Sequence, residues 1–163
     1  MYQRILVPVD GSPAASRGLD EAIELARNQD AELLLVHVID EWKLAAGDIA
    51  AVNLDAGARR LREAGAPLLR DAQARARQAA VPADSVLLEQ MGQPVGASII
   101  QRAREWPADL IVCGTHGRRG VRRLLLGSDA EYIVRHTPVP VLLVRASDAS
   151  EPHHPHPTSS GGR

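Results

Sequence analysis

The sequence predicts an α/β protein: an open five-stranded parallel sheet with helices on both faces, Rossmann-like in layout. Three observations carry this. Short, nearly continuous apolar runs recur at Ile5–Val9, Leu33–Ile39, Leu110–Cys113 and Val139–Val144, the pattern of strands buried on both faces. Between them lie segments with apolar residues at helical spacing. Gly and Pro punctuate the joins, at Gly11, Gly92, Pro94, Gly114 and Pro138. Strands alternating with helices imply a parallel sheet covered on both sides.

Arg4–Asp10 reads as the first strand, and Gly11 and Ser12 turn the chain. Ser12 is placed to N-cap a helix with Pro13 at its first position, where a missing N–H costs nothing. Ala15, Leu19, Ala22, Ile23 and Ala26 share one face of that helix, over 13–28. Ala31–Ile39 is the second strand, completing a βαβ unit that should cross over right-handed. Residues 40–56 read as a loop or a short helical piece, and 57–80 as a long surface helix. Asp84–Glu89 is a third strand. Gly92 and Pro94 break the chain before a helix carrying Val95, Ile99, Ile100 and Ala103, which ends before Pro107. Leu110–Cys113 is the fourth strand, about Asp129–His136 the fourth helix, and Val139–Val144 the fifth strand after Pro138 stops the helix.

Bulk properties narrow the function classes. The length suits one domain, 1–146, followed by a Pro-, Ser-, Gly- and His-rich tail at 147–163 that reads as disordered. The chain has no Phe, so its core rests on Leu, Val, Ile and Ala. A formal net charge of −1 argues against a general nucleic-acid binder. A single cysteine excludes an internal disulfide framework. No apolar run is long enough to span a bilayer and no signal-peptide pattern opens the chain, so no membrane association and a cytoplasmic location are expected.

The most informative stretch is 109–128. An apolar strand ends at Gly114, and Gly117, Gly120 and Gly127 follow, with Arg118, Arg119, Arg122 and Arg123 among them. Ser128 to Glu131 has the spacing of a capping box. Glycines let backbone N–H groups approach a phosphate, and a helix N-terminus offers unpaired N–H groups with the positive end of its dipole. The spacing is neither G-x-x-x-x-G-K-[ST] nor G-x-G-x-x-G, which excludes the P-loop and the dinucleotide fingerprint. What stands here is G-x2-G-x9-G-S, from Gly114, Gly117, Gly127 and Ser128. Taken alone it reads equally well as a turn with a good cap. Asp10, directly after the first strand, is either an acceptor for ribose hydroxyls or a cap for its own turn.

That spacing, together with Val7 to Ser12 near the start and Thr137 to Val144 near the end, resembles the universal stress protein family, in particular its ATP-binding branch. The resemblance covers roughly 1–146. It implies the adenine-nucleotide-binding variant of the fold, with ATP held as its magnesium complex. It assigns Pro8, Val9, Asp10 and Val38 to the nucleoside, the two valines offering apolar surface and backbone groups to adenine. Residues matching Gly114 and Gly117 approach the ribose and phosphates, and those matching Gly127, Ser128, Asp129 and Ala130 hold the phosphates. Of the arginines, Arg118 and Arg119 are expected nearest the ligand; the alternative is a solvated loop. Asp10 and Ser128 are the side chains able to help hold Mg²⁺. The resemblance also implies a homodimer through Val139–Val144.

One residue departs from the family pattern. At Asp129 nucleotide-binding relatives usually carry a small or β-branched residue, often Val, and a carboxylate there repels a triphosphate unless the side chain points away or a cation screens it. No catalytic constellation and no protein-held metal site is expected. Cys113 reads as an inert core thiol, His116 as an exposed loop residue, and His153, His154 and His156 as at most a weak metal site. A nucleotide-dependent switch or sensor in stress response is the leading reading. A slow ATP hydrolase using the same pocket and an interaction module with a weakened site are its rivals.

Overall fold

The computed structural model describes residues 1–40, 54–90, 92–115 and 126–146, with the side chains of 54–56 left aside. In chain order the elements are β1 (Arg4–Pro8), α1 (Pro13–Gln29), β2 (Glu32–Asp40), α2 (Leu54–Gln78), β3 (Ala83–Gln90), α3 (Val95–Glu105), β4 (Leu110–Gly114), α4 (Ser128–His136) and β5 (Val141–Val144). The strands form one parallel sheet of order β3-β2-β1-β4-β5. The expected doubly wound α/β layout is therefore present. Most of 40–56, expected as loop or short helix, lies outside the described residues, as does the tail at 147–163.

Strand alternation divides the core into two layers. Ile5, Val7, Leu33, Leu35, Leu110 and Val112 face α1 and α2, meeting Leu19, Ala22, Ala26, Leu69, Ala72 and Ala76. Leu6, Leu34, Val36, Ile111 and Cys113 face α3 and α4, meeting Ile99, Ile100, Ala103, Ala130 and Ile133. Without Phe, the helices close on the sheet through alanine: Ala22 and Ala76 are completely buried. Packing this tight leaves no slack for an added methylene.

The helix ends follow local chemistry. Ser12 caps α1, its Oγ accepting the Ala15 N–H at 3.1 Å, and Pro13 opens the helix. Asp30 closes it in the left-handed region at φ 52°, its N–H bonded to the Ala26 carbonyl. The last strand is shorter than Val139–Val144. Thr137 Oγ1 accepts the Val139 N–H at 3.2 Å, and this local turn occupies the residue before pairing begins at Val141.

Candidate functional site

β1 has β2 on one side and β4 on the other, so the chain's progression across the sheet reverses between β1 and β4. Open α/β sheets offer a ligand crevice above the carboxyl ends of strands at such a point. The residues there are Pro8 to Ser12 after β1 and Gly114 and Thr115 at the end of β4.

The β1 side is engaged mostly with the protein itself. Val9 donates its N–H to the Val36 carbonyl at 2.8 Å. Its own carbonyl lies 2.6 Å from Nδ1 of His37; a carbonyl only accepts, so this nitrogen carries the proton. The Val9 side chain sits in the layer facing α1 and α2, whereas Val38 is half-buried in the layer facing α3 and α4. The two valines assigned together to adenine thus lie on opposite faces of the sheet, and both backbone groups of Val9 are already bonded. Pro8 is half-buried and pairs in register with Val36. Asp10 accepts the Ser12 N–H through Oδ1 at 2.8 Å, across Gly11 at φ 79°. That is the turn-capping geometry, one of the two roles foreseen for it.

His37 and Gly65 form a part of this region that the motif reading missed. His37 is 7% exposed, and a Cβ at Gly65 would lie 2.5 Å from its Cδ2 and 2.9 Å from its Nε2. Gly65 is therefore what lets α2 settle over the ring that props the end of β1. The signal was a lone polar ring inside the apolar run Leu33–Ile39.

On the β4 side, Gly114 is shaped by packing. A Cβ there would stand 2.6 Å from the Ala14 carbonyl carbon and 2.7 Å from the Ala15 nitrogen, so the space beside it belongs to the first turn of α1. Thr115, 6% exposed, donates its N–H to the Val144 carbonyl at 2.9 Å. Its own carbonyl accepts the Gly127 N–H at 2.8 Å. This bond brings the start of α4 to the end of β4, so Gly114, Gly127, Ser128, Asp129 and Ala130 are assembled around one strand end. Gly117, Arg118 and Arg119 lie outside the described residues, as do His116, Arg122 and Arg123.

The capping box does not form. Gly127 is the N-cap of α4, at φ −62° and ψ 149°, and no side chain caps the helix. The reason is register: the Glu131 N–H bonds the Gly127 carbonyl at 2.8 Å, which starts the helix one residue earlier and makes Ser128 its first residue. Glu131 instead pairs with Arg135 at 2.7 Å. Ser128 and Asp129 are exposed and Ala130 is buried. The start of α3, N-capped by Pro94 and likewise without a side-chain cap, abuts this turn; a Cβ at Gly96 would lie 3.0 Å from the Asp129 carbonyl oxygen. Two helix N-termini lacking side-chain caps thus meet at one spot, each presenting the positive end of its dipole.

Other groups lie away from the crevice or are chemically quiet. Burial pushes the Cys113 thiol up to about 12, so it is no nucleophile near neutral pH. A polar cavity of about 350 Å³ lies at the far edge, between the end of β3 and α3. Gln90 there bonds Ser98 and Gln93, and Glu105 holds Gln101 and pairs with Arg102, whose Nε is buried without a hydrogen-bond partner among the described residues. No helix among the described residues is long and apolar enough to cross a membrane.

Fold and crevice together define a doubly wound α/β domain of the kind that takes a ligand where strand order reverses. Known proteins narrow the class. The Universal stress protein family model matches residues 1–145. A Staphylococcus haemolyticus protein named for that family is 34% identical over 154 residues, covering 94% of this chain and 91% of that protein. The crystal structure of a universal stress protein family member from Burkholderia pseudomallei superposes with a TM-score of 0.72 at 36% identity, covering 88% of this chain and 96% of that one. A universal stress protein from Archaeoglobus fulgidus in complex with dAMP superposes with a TM-score of 0.60 at 25% identity, covering 88% and 98%. The chain belongs to the universal stress protein family.

Proposed function

We propose that this protein binds an adenine nucleotide in the crevice between β1 and β4, with its phosphates on the first turn of α4, and works as a nucleotide-dependent switch in the cytoplasmic stress response. The observation that carries the reading is the start of α4: a helix tip without a side-chain cap, tied to the end of β4 by the Gly127–Thr115 bond. Backbone N–H groups in that arrangement suit a phosphate. The dAMP complex of the Archaeoglobus relative supports the choice of an adenine nucleotide. For the base, half-buried Val38 and Pro8 offer apolar surface. ATP enters as its magnesium complex, the cation offsetting phosphate charge beside Asp129; Asp10 and Ser128 are the nearby side chains suited to share it. Arg118 and Arg119 complete the proposed phosphate contacts. The ligand shifts the protein only as far as it binds two conformations unequally.

The same reading includes a homodimer through the β5 edge. Among the described residues the large apolar side chains most exposed are Met1, Val134 and Leu142, and the last two belong to α4 and β5. An open edge strand beside exposed apolar groups suits pairing with a second copy.

The test of binding is a calorimetric titration of ATP with magnesium into wild-type protein, Ser128→Pro and Ser128→Ala. Proline deletes one amide donor yet fits the first helical position, and Gly127 already has the extended backbone that precedes proline. A charge-assisted bond contributes about 1.5–3 kcal/mol, so Ser128→Pro should bind more than about tenfold more weakly than Ser128→Ala, with both variants folded. Equal affinities would remove α4 from the phosphate site.

A further inference from the structure

Resting on the nucleotide reading above, we infer that Asp129 makes this site penalise phosphate charge: its carboxylate weakens a triphosphate relative to a monophosphate, and a divalent cation on the triphosphate removes that penalty. The inference comes from what occupies the turn. The donors at the tip of α4 belong to a turn whose first residues include the carboxylates Asp129 and Glu131. Glu131 is paired with Arg135 one turn along the helix, which directs its charge toward an intrahelical partner. Asp129 is exposed and sits second in the helix, on the turn that would receive the phosphates. Its backbone carbonyl faces Gly96 at the start of α3, so the residue cannot leave the junction without moving one helix against the other.

The charge arithmetic decides which ligand suffers. Asp129 also interacts within the protein, so only part of its field is felt by a ligand. The helix dipoles favour any phosphate, and by about the same amount for the first one bound. Each added phosphate brings roughly one more negative charge within about 6–8 Å of the Asp129 carboxylate, at a cost that grows with ligand charge. At an effective dielectric between those of surface and bulk water, the full Asp129 charge would weaken binding of two additional charges on the order of tenfold, which bounds its effect from above. A divalent cation bound to the triphosphate cancels that difference, because it returns the ligand to about the net charge of a monophosphate.

The experiment is equilibrium titration of AMP, ADP and ATP, in EDTA and again in excess magnesium, against full-length wild type and Asp129→Asn. Asparagine keeps the shape and removes the charge; Asp129→Ser is the second neutral variant should the amide perturb the helix start. In EDTA the neutral variants should shift the AMP-to-ATP affinity ratio toward ATP by up to about tenfold relative to wild type, with ADP between. Magnesium should improve ATP binding to wild type more than to the variants. An AMP-to-ATP ratio unchanged by removing the charge overturns the inference while leaving the site intact. If no adenine nucleotide binds either protein under either condition, the nucleotide reading itself falls.

Discussion

Replacing Gly114 by alanine should damage the protein before any ligand is added. The G-x2-G spacing suggests that this glycine exists to let a ligand approach the backbone. In the structure the space is filled by α1: a Cβ would meet the Ala14 carbonyl carbon at 2.6 Å, the Ala15 nitrogen at 2.7 Å and the Ala14 Cβ at 2.9 Å. Helix and strand must separate by about 0.8 Å to restore ordinary contact. Neither yields easily. The first turn of α1 is fixed by the Ser12 cap, and at Gly18, one turn on, a Cβ would already be in ordinary contact with the same strand, 3.5 Å from the Gly114 nitrogen. β4 is clamped between β1 and β5. Because the obstacles are backbone atoms on both sides, the cost should fall at the upper end of the overpacking range, about 3 kcal/mol.

For a chain of this length that corresponds to a drop in Tm of about 6–12 °C. Urea unfolding followed by far-ultraviolet circular dichroism, on nucleotide-free protein, measures it directly. A loss below about 0.5 kcal/mol, with nucleotide affinity selectively abolished, would refute the packing argument and return Gly114 to a purely ligand-facing role.

Three further outcomes follow from named contacts. Asp10→Ala should cost about 1 kcal/mol in ligand-free protein, because the Ser12 N–H loses its acceptor, whereas Asp10→Asn should keep most of that stability through its side-chain oxygen; equal losses in urea melts would reject the turn role. Cys113, its thiol raised from the ordinary 9.0 to about 12, should resist alkylation at pH 8 until the protein is unfolded. Below pH 9 both states are protonated; between pH 9 and 12 only the unfolded chain loses the proton, so wild-type stability should fall relative to Cys113→Ala by up to about 1.4 kcal/mol per pH unit, and parallel curves would contradict this. Leu142→Lys should convert a dimer to folded monomer in sedimentation equilibrium; Leu142 is the test position because Val141 and Leu143 pack against the core, and a dimer that survives would exclude the β5 edge.

The sheet and its helices were legible because two-sided burial forces apolar runs of strand length, and because Gly and Pro stand where the chain must turn. Element ends were less so. The Ser128–Glu131 spacing satisfies the capping-box pattern, yet Gly127 takes the cap, since the backbone bond from Glu131 fixes the helix start without a side chain. Val139 looks like strand, but the Thr137 hydroxyl holds it in a turn. The grouping of site residues was legible as a motif, while the reasons behind individual residues were not. The period-two pattern of β1 and β2 does not say that Val9 and Val38 face opposite layers until the pairing register is known. Nor does any local pattern reveal that Gly65, remote in sequence, stands against His37.

The two helices that begin nearest the switch point treat their first N–H groups in opposite ways, and this argues for where an anion would sit. At α1 the protein satisfies them itself: Asp10 takes the Ser12 N–H, Ser12 takes that of Ala15, and Pro13 has none to offer. A phosphate there would have to displace a carboxylate of the same sign. At α4 the cap is a glycine, which has no side-chain acceptor, and the adjoining α3 also begins without a side-chain cap. Helix starts arranged this way are ordinarily completed by water or by a ligand. The Gly127–Thr115 bond holds this tip against the end of β4. The proposed phosphate donors are thus anchored at their base to the sheet, so a ligand would meet a helix tip whose place beside β4 is set by the protein's own backbone.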